Sequence, residues 1–186
     1  MKTVFLLTGR PGIGKTTALL GIVDRLRGAG VEVGGVISRE RRTGGIRRGF
    51  ELVDLLSNRV GTLADVAGEG PRLGRYRVNL QDLEGIGVKA LATSLERADV
   101  TAIDEVGPME LYSEKFLMAF RMALESQRPI VGTIHSNLRH PIVDEIRHRE
   151  NVEVFDVTYG NRDEIPGEIA ERILRLLDKT MGEAER

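Results

Sequence analysis

The chain has 186 residues, 41% of them hydrophobic and 30% charged, with a formal net charge of −1. That length suits one domain built on a sheet covered on both faces, and the composition is that of a globular chain, not a disordered one. With no cysteine, disulfides, thiolate metal sites and cysteine nucleophiles are excluded, and the near-neutral charge supplies no global basic field for nucleic acid or anionic lipid.

In chain order, Val4 to Thr8 reads as a short buried strand, a continuous apolar run closed by Gly9. The run passes at once into a glycine-rich loop, so a buried first strand is expected here and not a signal peptide. Thr16 to Arg27 reads as a helix whose apolar stripe is Ala18, Leu19, Ile22, Val23 and Leu26. Val31 to Ser38 follows as a valine-rich strand. Strand, loop, helix and parallel strand in this order open a doubly wound α/β fold. Arg39 to Gly74 is the least regular stretch. Residues 39–80 read as a β-rich insertion with a flexible basic loop, its arginines at 39, 41, 42, 47 and 48 surrounding Gly44-Gly45.

Within that insertion Phe50 to Leu55 alternates, and Val60 to Leu63 and Arg75 to Leu80 are short strands. Asp82 to Arg97 is helical, with Gly85 and Gly87 weakening its start. Val100 to Ile103 is an apolar strand ending in Asp104-Glu105. Helices at Ser113–Ser126 and His140–Arg149 alternate with strands at Pro129–Ile134 and Val152–Val157. A final helix covers about Asp163 to Lys179, and the tail from Met181 is expected to fray. The whole of 1–186 is expected to be one three-layer domain with a mostly parallel central sheet. No apolar stretch approaches the roughly 20 residues that span a bilayer. A cytoplasmic location without membrane contact is expected.

The chemistry is concentrated in Gly9-Arg10-Pro11-Gly12-Ile13-Gly14-Lys15-Thr16, which matches G-x-x-x-x-G-K-[ST] at every fixed position. A triphosphate packs several charges into a small volume and needs many donors close by. Glycines let backbone N–H groups turn inward, and the helix that follows adds the positive end of its dipole. Thr8 to Thr17 are therefore the candidate nucleotide-binding residues. Lys15 is placed to bridge the β- and γ-phosphates, and the Thr16 hydroxyl to coordinate Mg²⁺.

A phosphate loop holds nucleotide but does not hydrolyse it. The complement is the strand end at Asp104-Glu105, which completes the nucleotide site. Asp104 is the second candidate metal residue, opposite Thr16. Glu105 can take a proton from a water aligned on the γ-phosphorus. Thr133 and His135 end a further apolar strand where a polar group could sense that phosphate. His135, His140 and His148 lack the spacing of a metal site. An arginine of the insertion could supply positive charge to the transition state, worth about 10³–10⁵ in rate when well placed.

Together these segments resemble the small P-loop nucleoside-triphosphatases whose animal member is called cancer-related nucleoside-triphosphatase. The resemblance rests on Thr8 to Thr17, Arg47-Arg48-Gly49-Phe50 with Val53-Asp54-Leu55, and Gly74-Arg75-Tyr76 with Val78-Asn79. It continues through Ile103 to Leu111, Thr133-Ile134-His135 and Asn161-Arg162-Asp163. The resemblance implies a RecA-like domain and slow Mg²⁺-dependent hydrolysis of ATP, GTP, CTP and UTP to the diphosphate, with little base preference. It also implies catalytic roles for Lys15, Glu105 and Arg47, the last being the arginine before Gly-Phe. Val106 stands where isoleucine is usual, and Tyr112 where a lysine is common.

Two other readings stay open at this stage. One is a nucleotide or small-molecule kinase with Arg39 to Gly49 as its lid. The other is a nucleotide-dependent switch or RNA-associated factor, for which the basic insertion is the only feature, without an aromatic stacking motif beside it. Asn161 and Arg162 are the candidates for base recognition. A monomer is the working expectation, with the catalytic arginine free to act in cis or from a neighbour.

Overall fold

The computed structural model describes residues 2–184. One nine-stranded sheet runs through it. Its strands are β1 (Val4–Thr8), β2 (Val33–Thr43), β3 (Ile46–Asp54), β4 (Val60–Asp65), β5 (Arg72–Leu73), β6 (Tyr76–Val78), β7 (Val100–Val106), β8 (Ile130–Ile134) and β9 (Val152–Asp156). In space they lie in the order β5-β6-β4-β3-β2-β7-β8-β1-β9. From β2 to β9 all neighbours are parallel, whereas β2 to β5 is joined by antiparallel pairs.

The parallel half is apolar on both faces because helices cover both. Along β1, Val4 and Leu6 join the core beneath α4 (Glu114–Glu125) and α5 (Pro141–His148). Phe5 and Leu7 point the other way, into the core under α1 (Lys15–Gly28) and α6 (Ile165–Ala184). Successive strand side chains face opposite sides, so one pentapeptide supplies both cores. The result is the three-layer doubly wound architecture expected. None of the helices among the described residues is long and apolar enough to cross a membrane.

The antiparallel half departs from the expected flexible loop. β2 does not end at Ser38 but runs on to Thr43, and Thr43 pairs with Ile46 across a two-residue turn. Gly44 and Gly45 both take positive φ (55° and 78°), the combination that closes a tight hairpin in register with strand twist. The arginines therefore project from a β-ribbon whose register shifts between Arg41 and Arg42. Their charge is largely matched: Arg39 pairs with Glu51 at 2.9 Å, Arg42 and Arg47 with Glu40 at 2.6 Å each, and Arg41 with Asp65. The insertion is thus an extension of the same sheet.

Between β6 and β7 the helix begins earlier than expected. It passes from α2 (Leu80–Asp82) through a π-helical stretch at Leu83–Val88 into α3 (Lys89–Arg97). Asn79 caps it, its Oδ1 accepting from the Asp82 amide at 3.0 Å. Gly85 and Gly87 fall in the π stretch, where the wider turn continues the helix instead of breaking it. Ser113 caps α4 by accepting from the Phe116 amide at 3.1 Å. α6 continues to Ala184, through part of the tail expected to fray; the remainder of that tail lies outside the described residues.

Candidate active site

The phosphate loop leaves the C-terminal end of β1 and opens α1, as the sequence pattern requires. Gly9, Gly12 and Gly14 all have positive φ. At Gly9 a Cβ would stand 2.7 Å from the Val157 carbonyl oxygen, a clash with backbone that no side chain relieves. Gly14, with φ of 108°, is the residue before α1, and no side chain occupies the cap position. The first-turn N–H groups of α1 are therefore left to an external anion. Lys15 folds back along the loop, its Nζ donating to the Gly9 carbonyl at 3.2 Å.

Asp104 is the centre of the opposing half. It is 3% exposed and is approached by hydroxyls from three elements. Thr16 Oγ1, at the start of α1, donates to its carboxylate at 3.1 and 3.2 Å. Thr133 Oγ1, from β8, donates to Oδ1 at 2.5 Å. Ser38 Oγ, from β2, stands 3.5 Å from Oδ2. Burial pushes the Asp104 carboxyl above the usual carboxylate range, while the Thr133 and Thr16 hydrogen bonds and the charge of Lys15 pull it down. A bound cation would act in the same downward direction.

Glu105 follows immediately. In an ideal strand it would point away from Asp104, but the β7–β8 register shifts between Ile103 and Val106. Both carboxyls feel Lys15. Burial raises the Glu105 carboxyl, Lys15 opposes that, and the neighbouring Asp104 charge reinforces it. A base with a raised pKa accepts a proton more readily near neutral pH.

Sequence reasoning missed Ser38, and it missed Glu110. Ser38 carries the same signal that singled out Thr133, a polar residue closing an apolar run, but the basic run that follows it masks that signal. Glu110 is 5% exposed and accepts from the Gly107 amide at 3.1 Å. Burial, with added repulsion from Glu105 and Asp104, pushes its carboxyl up to about 8. Burial thus favours its protonated form. A Cβ on Gly107 would meet Glu105 Oε1 and Glu110 Oε2 at 3.2 Å each, so that glycine is the spacer between the two acids. Nothing in the sequence marks an acid in this short turn as buried.

Arg47 is not brought to this cluster. Its guanidinium donates to Glu40 at 2.6 Å and to the Tyr76 hydroxyl at 3.0 Å, and it lies over the rings of Phe50 and Tyr76. It pairs across the ribbon with Arg42, four residues beyond Ser38, so roughly 13 Å of strand separates it from Asp104 at about 3.3 Å per residue. His135 accepts from the Asn137 amide through Nδ1, His140 caps α5, and His148 faces the Asp144 carbonyl. Burial and the charge of Lys15 both hold His135 below its usual pKa. Among the described residues no group of three or more His, Asp and Glu is arranged to hold a metal.

Comparison with known proteins agrees with this fold. The model of the family described as NTPase matches residues 4–170. The chain is 46% identical over 177 residues to nucleoside-triphosphatase THEP1 of Thermofilum pendens, covering 93% of this chain and 96% of that one. It is 44% identical to nucleoside-triphosphatase THEP1 of Methanosarcina acetivorans, covering 92% and 97%. Two solved structures superpose closely. THEP1 from Aquifex aeolicus has a TM-score of 0.79 at 31% identity, covering 89% of this chain and 96% of that one. A human cancer-related nucleoside triphosphatase has 0.78 at 37% identity, covering 93% and 97%. The chain belongs to the NTPase family.

Proposed function

We propose that the protein is a Mg²⁺-dependent phosphohydrolase that converts ATP, GTP, CTP and UTP to the diphosphate and inorganic phosphate. The observation that carries this reading is the meeting of Thr16, at the mouth of the phosphate loop, with Asp104 on β7. The relatives' name, nucleoside-triphosphatase, points the same way.

The facing donors are hydroxyls and a carboxylate, hard oxygens that suit Mg²⁺ when phosphate and water complete its octahedron. Thr16 and Asp104 would hold the ion, which when bound neutralises charge developing on the β- and γ-oxygens. Lys15 and the α1 N–H groups bind and orient the phosphates. Glu105 takes the proton of the water as its oxygen bonds to the γ-phosphorus and the bond to the β–γ bridging oxygen breaks. Steady-state phosphate release across the four nucleotides, with and without Mg²⁺, tests this. Release confined to one nucleotide, or indifferent to Mg²⁺, would overturn it.

One feature favours kinase activity as a second reading. A cleft of ≈ 440 Å³ flanks Gly9 to Pro11 and is lined also by His135, Asn137, Arg147 and Asp156, room enough for a small polar acceptor. Labelled ATP with candidate nucleosides and monophosphates separates the two: transfer to an acceptor faster than to water would favour the kinase.

A further inference from the structure

The nucleoside end of the substrate needs a site of its own, and the loop between β9 and α6 lies beside the phosphate loop. This loop approaches the phosphate loop at both ends. The Val157 amide donates to the Thr8 carbonyl at 2.8 Å, and the Val157 carbonyl is what leaves room only for glycine at position 9. At the other end, a Cβ on Gly14 would come within 4.0 Å of Arg162 Cδ. Arg162 therefore stands against the residue that precedes α1.

The loop's shape is held by Asn161. Its Oδ1 accepts from the Thr158 amide at 2.8 Å and its Nδ2 donates to the Asp156 carbonyl at 2.9 Å. Both halves of the amide are thereby used in bracing backbone. What the braced loop presents outward is flat. Tyr159 is 74% exposed, and the Arg162 guanidinium lies 5.1 Å from its ring centroid. A tyrosine ring so exposed leaves most of its face open to a partner.

The polarity of the site puts a base on this side. Lys15 Nζ turns toward Gly9, and the Thr16–Asp104–Thr133 cluster lies with it, so the terminal phosphates belong there. The nucleoside then leaves along the other edge of the phosphate loop, past Gly14, beside which Arg162 stands. We propose that Tyr159 and Arg162 form a stacking platform for the nucleobase, one that grips any of the four bases by its face. Every base has a π-face, while only directed donors and acceptors tell one base from another. This deepens the hydrolase reading and rests on its assignment of a nucleoside triphosphate as ligand.

The test uses binding, so that it stands apart from hydrolysis. Affinities of the full chain for ATP, GTP, CTP, UTP and inorganic triphosphate would be measured by calorimetry with Mg²⁺ at 4 °C. Tyr159→Ala is expected to weaken all four nucleotides by roughly ten- to a hundredfold and to leave inorganic triphosphate, which has no base, within twofold. Tyr159→Phe should restore the nucleotide affinities, and Arg162→Ala should weaken them in the same base-independent way. Equal losses for nucleotides and inorganic triphosphate would make the loop a mere support of the phosphate loop and overturn the platform. So would unchanged nucleotide affinities, or a loss confined to one base. If the unmodified chain binds no nucleotide, the hydrolase reading itself falls; if it binds but does not hydrolyse, only that reading falls and the platform is still decided.

Discussion

The two halves of the sheet treat polar residues in opposite ways. In the parallel half, polar side chains from elements far apart in sequence converge on one buried carboxylate. Thr16, Ser38, Asp104 and Thr133 come from α1, β2, β7 and β8 and meet at one carboxylate. In the antiparallel half, charged side chains stay exposed or half-buried and pair with near neighbours on the same ribbon, as Arg42 and Arg47 do with Glu40. Exposed pairs of that kind contribute little to stability, about 0–1 kcal/mol each. The parallel half therefore holds its buried carboxylates at a desolvation cost that hydroxyls and Lys15 offset only in part, whereas the ribbon's charges are largely paired. Function is expected where charges are held against their solvation.

The contrast predicts that substitutions in the first half act on chemistry. Glu105→Gln keeps shape but cannot take a proton. Turnover should fall by about 10²–10⁴-fold, with nucleotide affinity nearly unchanged in calorimetry. Unaltered turnover would remove Glu105 as the base. Thr133→Val is expected to have the next largest effect. It deletes the shortest of the hydrogen bonds to Asp104, and bonds to charged groups are worth about 1.5–3 kcal/mol. The Mg²⁺ concentration for half-maximal rate should rise by roughly ten- to a hundredfold on that basis. No change in Mg²⁺ dependence would make Thr133 a spectator.

Glu110 sharpens the comparison through pH. Its carboxyl is raised from 4.5 to about 8 in the folded chain, so between those values the folded state keeps a proton that the unfolded state has released. Stability is then fully present below about pH 4.5 and is lost as pH rises toward about 8. Glu110→Gln keeps an acceptor for the Gly107 amide and has no proton to lose. Urea unfolding without Mg²⁺ should show the variant gaining on the unmodified protein steadily across that window. Parallel pH profiles would refute a buried neutral acid. Glu110→Ala, by contrast, strands the Gly107 amide and should cost about 1–3 kcal/mol at low pH.

Much of the parallel half was legible in the sequence because its signals are local. The glycine spacing needs positive φ at fixed positions, and Val4 to Thr8 or Val100 to Ile103 need only be apolar to be read as buried strands. Asp104 and Glu105 were legible because two acids closing such a strand are conspicuous. Glu110 and Ser38 were not, since their burial depends on what other elements bring to them: Gly107 fits between Glu105 and Glu110 only once the turn closes. The ribbon was misread for a related reason. Arg39 to Thr43 carries no apolar alternation, and what makes it a strand is its pairing with Ile46 to Glu51 across Gly44-Gly45, a long-range hydrogen-bond ladder and not a pattern in the residues themselves.

Arg47 sets the smallest expected effect and the most direct challenge to the division. To reach a phosphate near Asp104 it would have to give up Glu40, the Tyr76 hydroxyl and two ring faces and cross roughly 13 Å of ribbon. With those partners in place, Arg47→Ala should lower kcat less than tenfold, and it should cost about 0–1 kcal/mol of stability, as an exposed ion pair does. A well-placed arginine is worth about 10³–10⁵ in rate, so the two outcomes are far apart. A loss of that size would mean that the ribbon folds over the phosphates during turnover and that its charges are not satisfied when it matters. Glu40→Gln then tells whether the move is controlled: loosening Arg47 should raise turnover if the ribbon closes, and leave it unchanged if Arg47 stays where Tyr76 and Phe50 hold it.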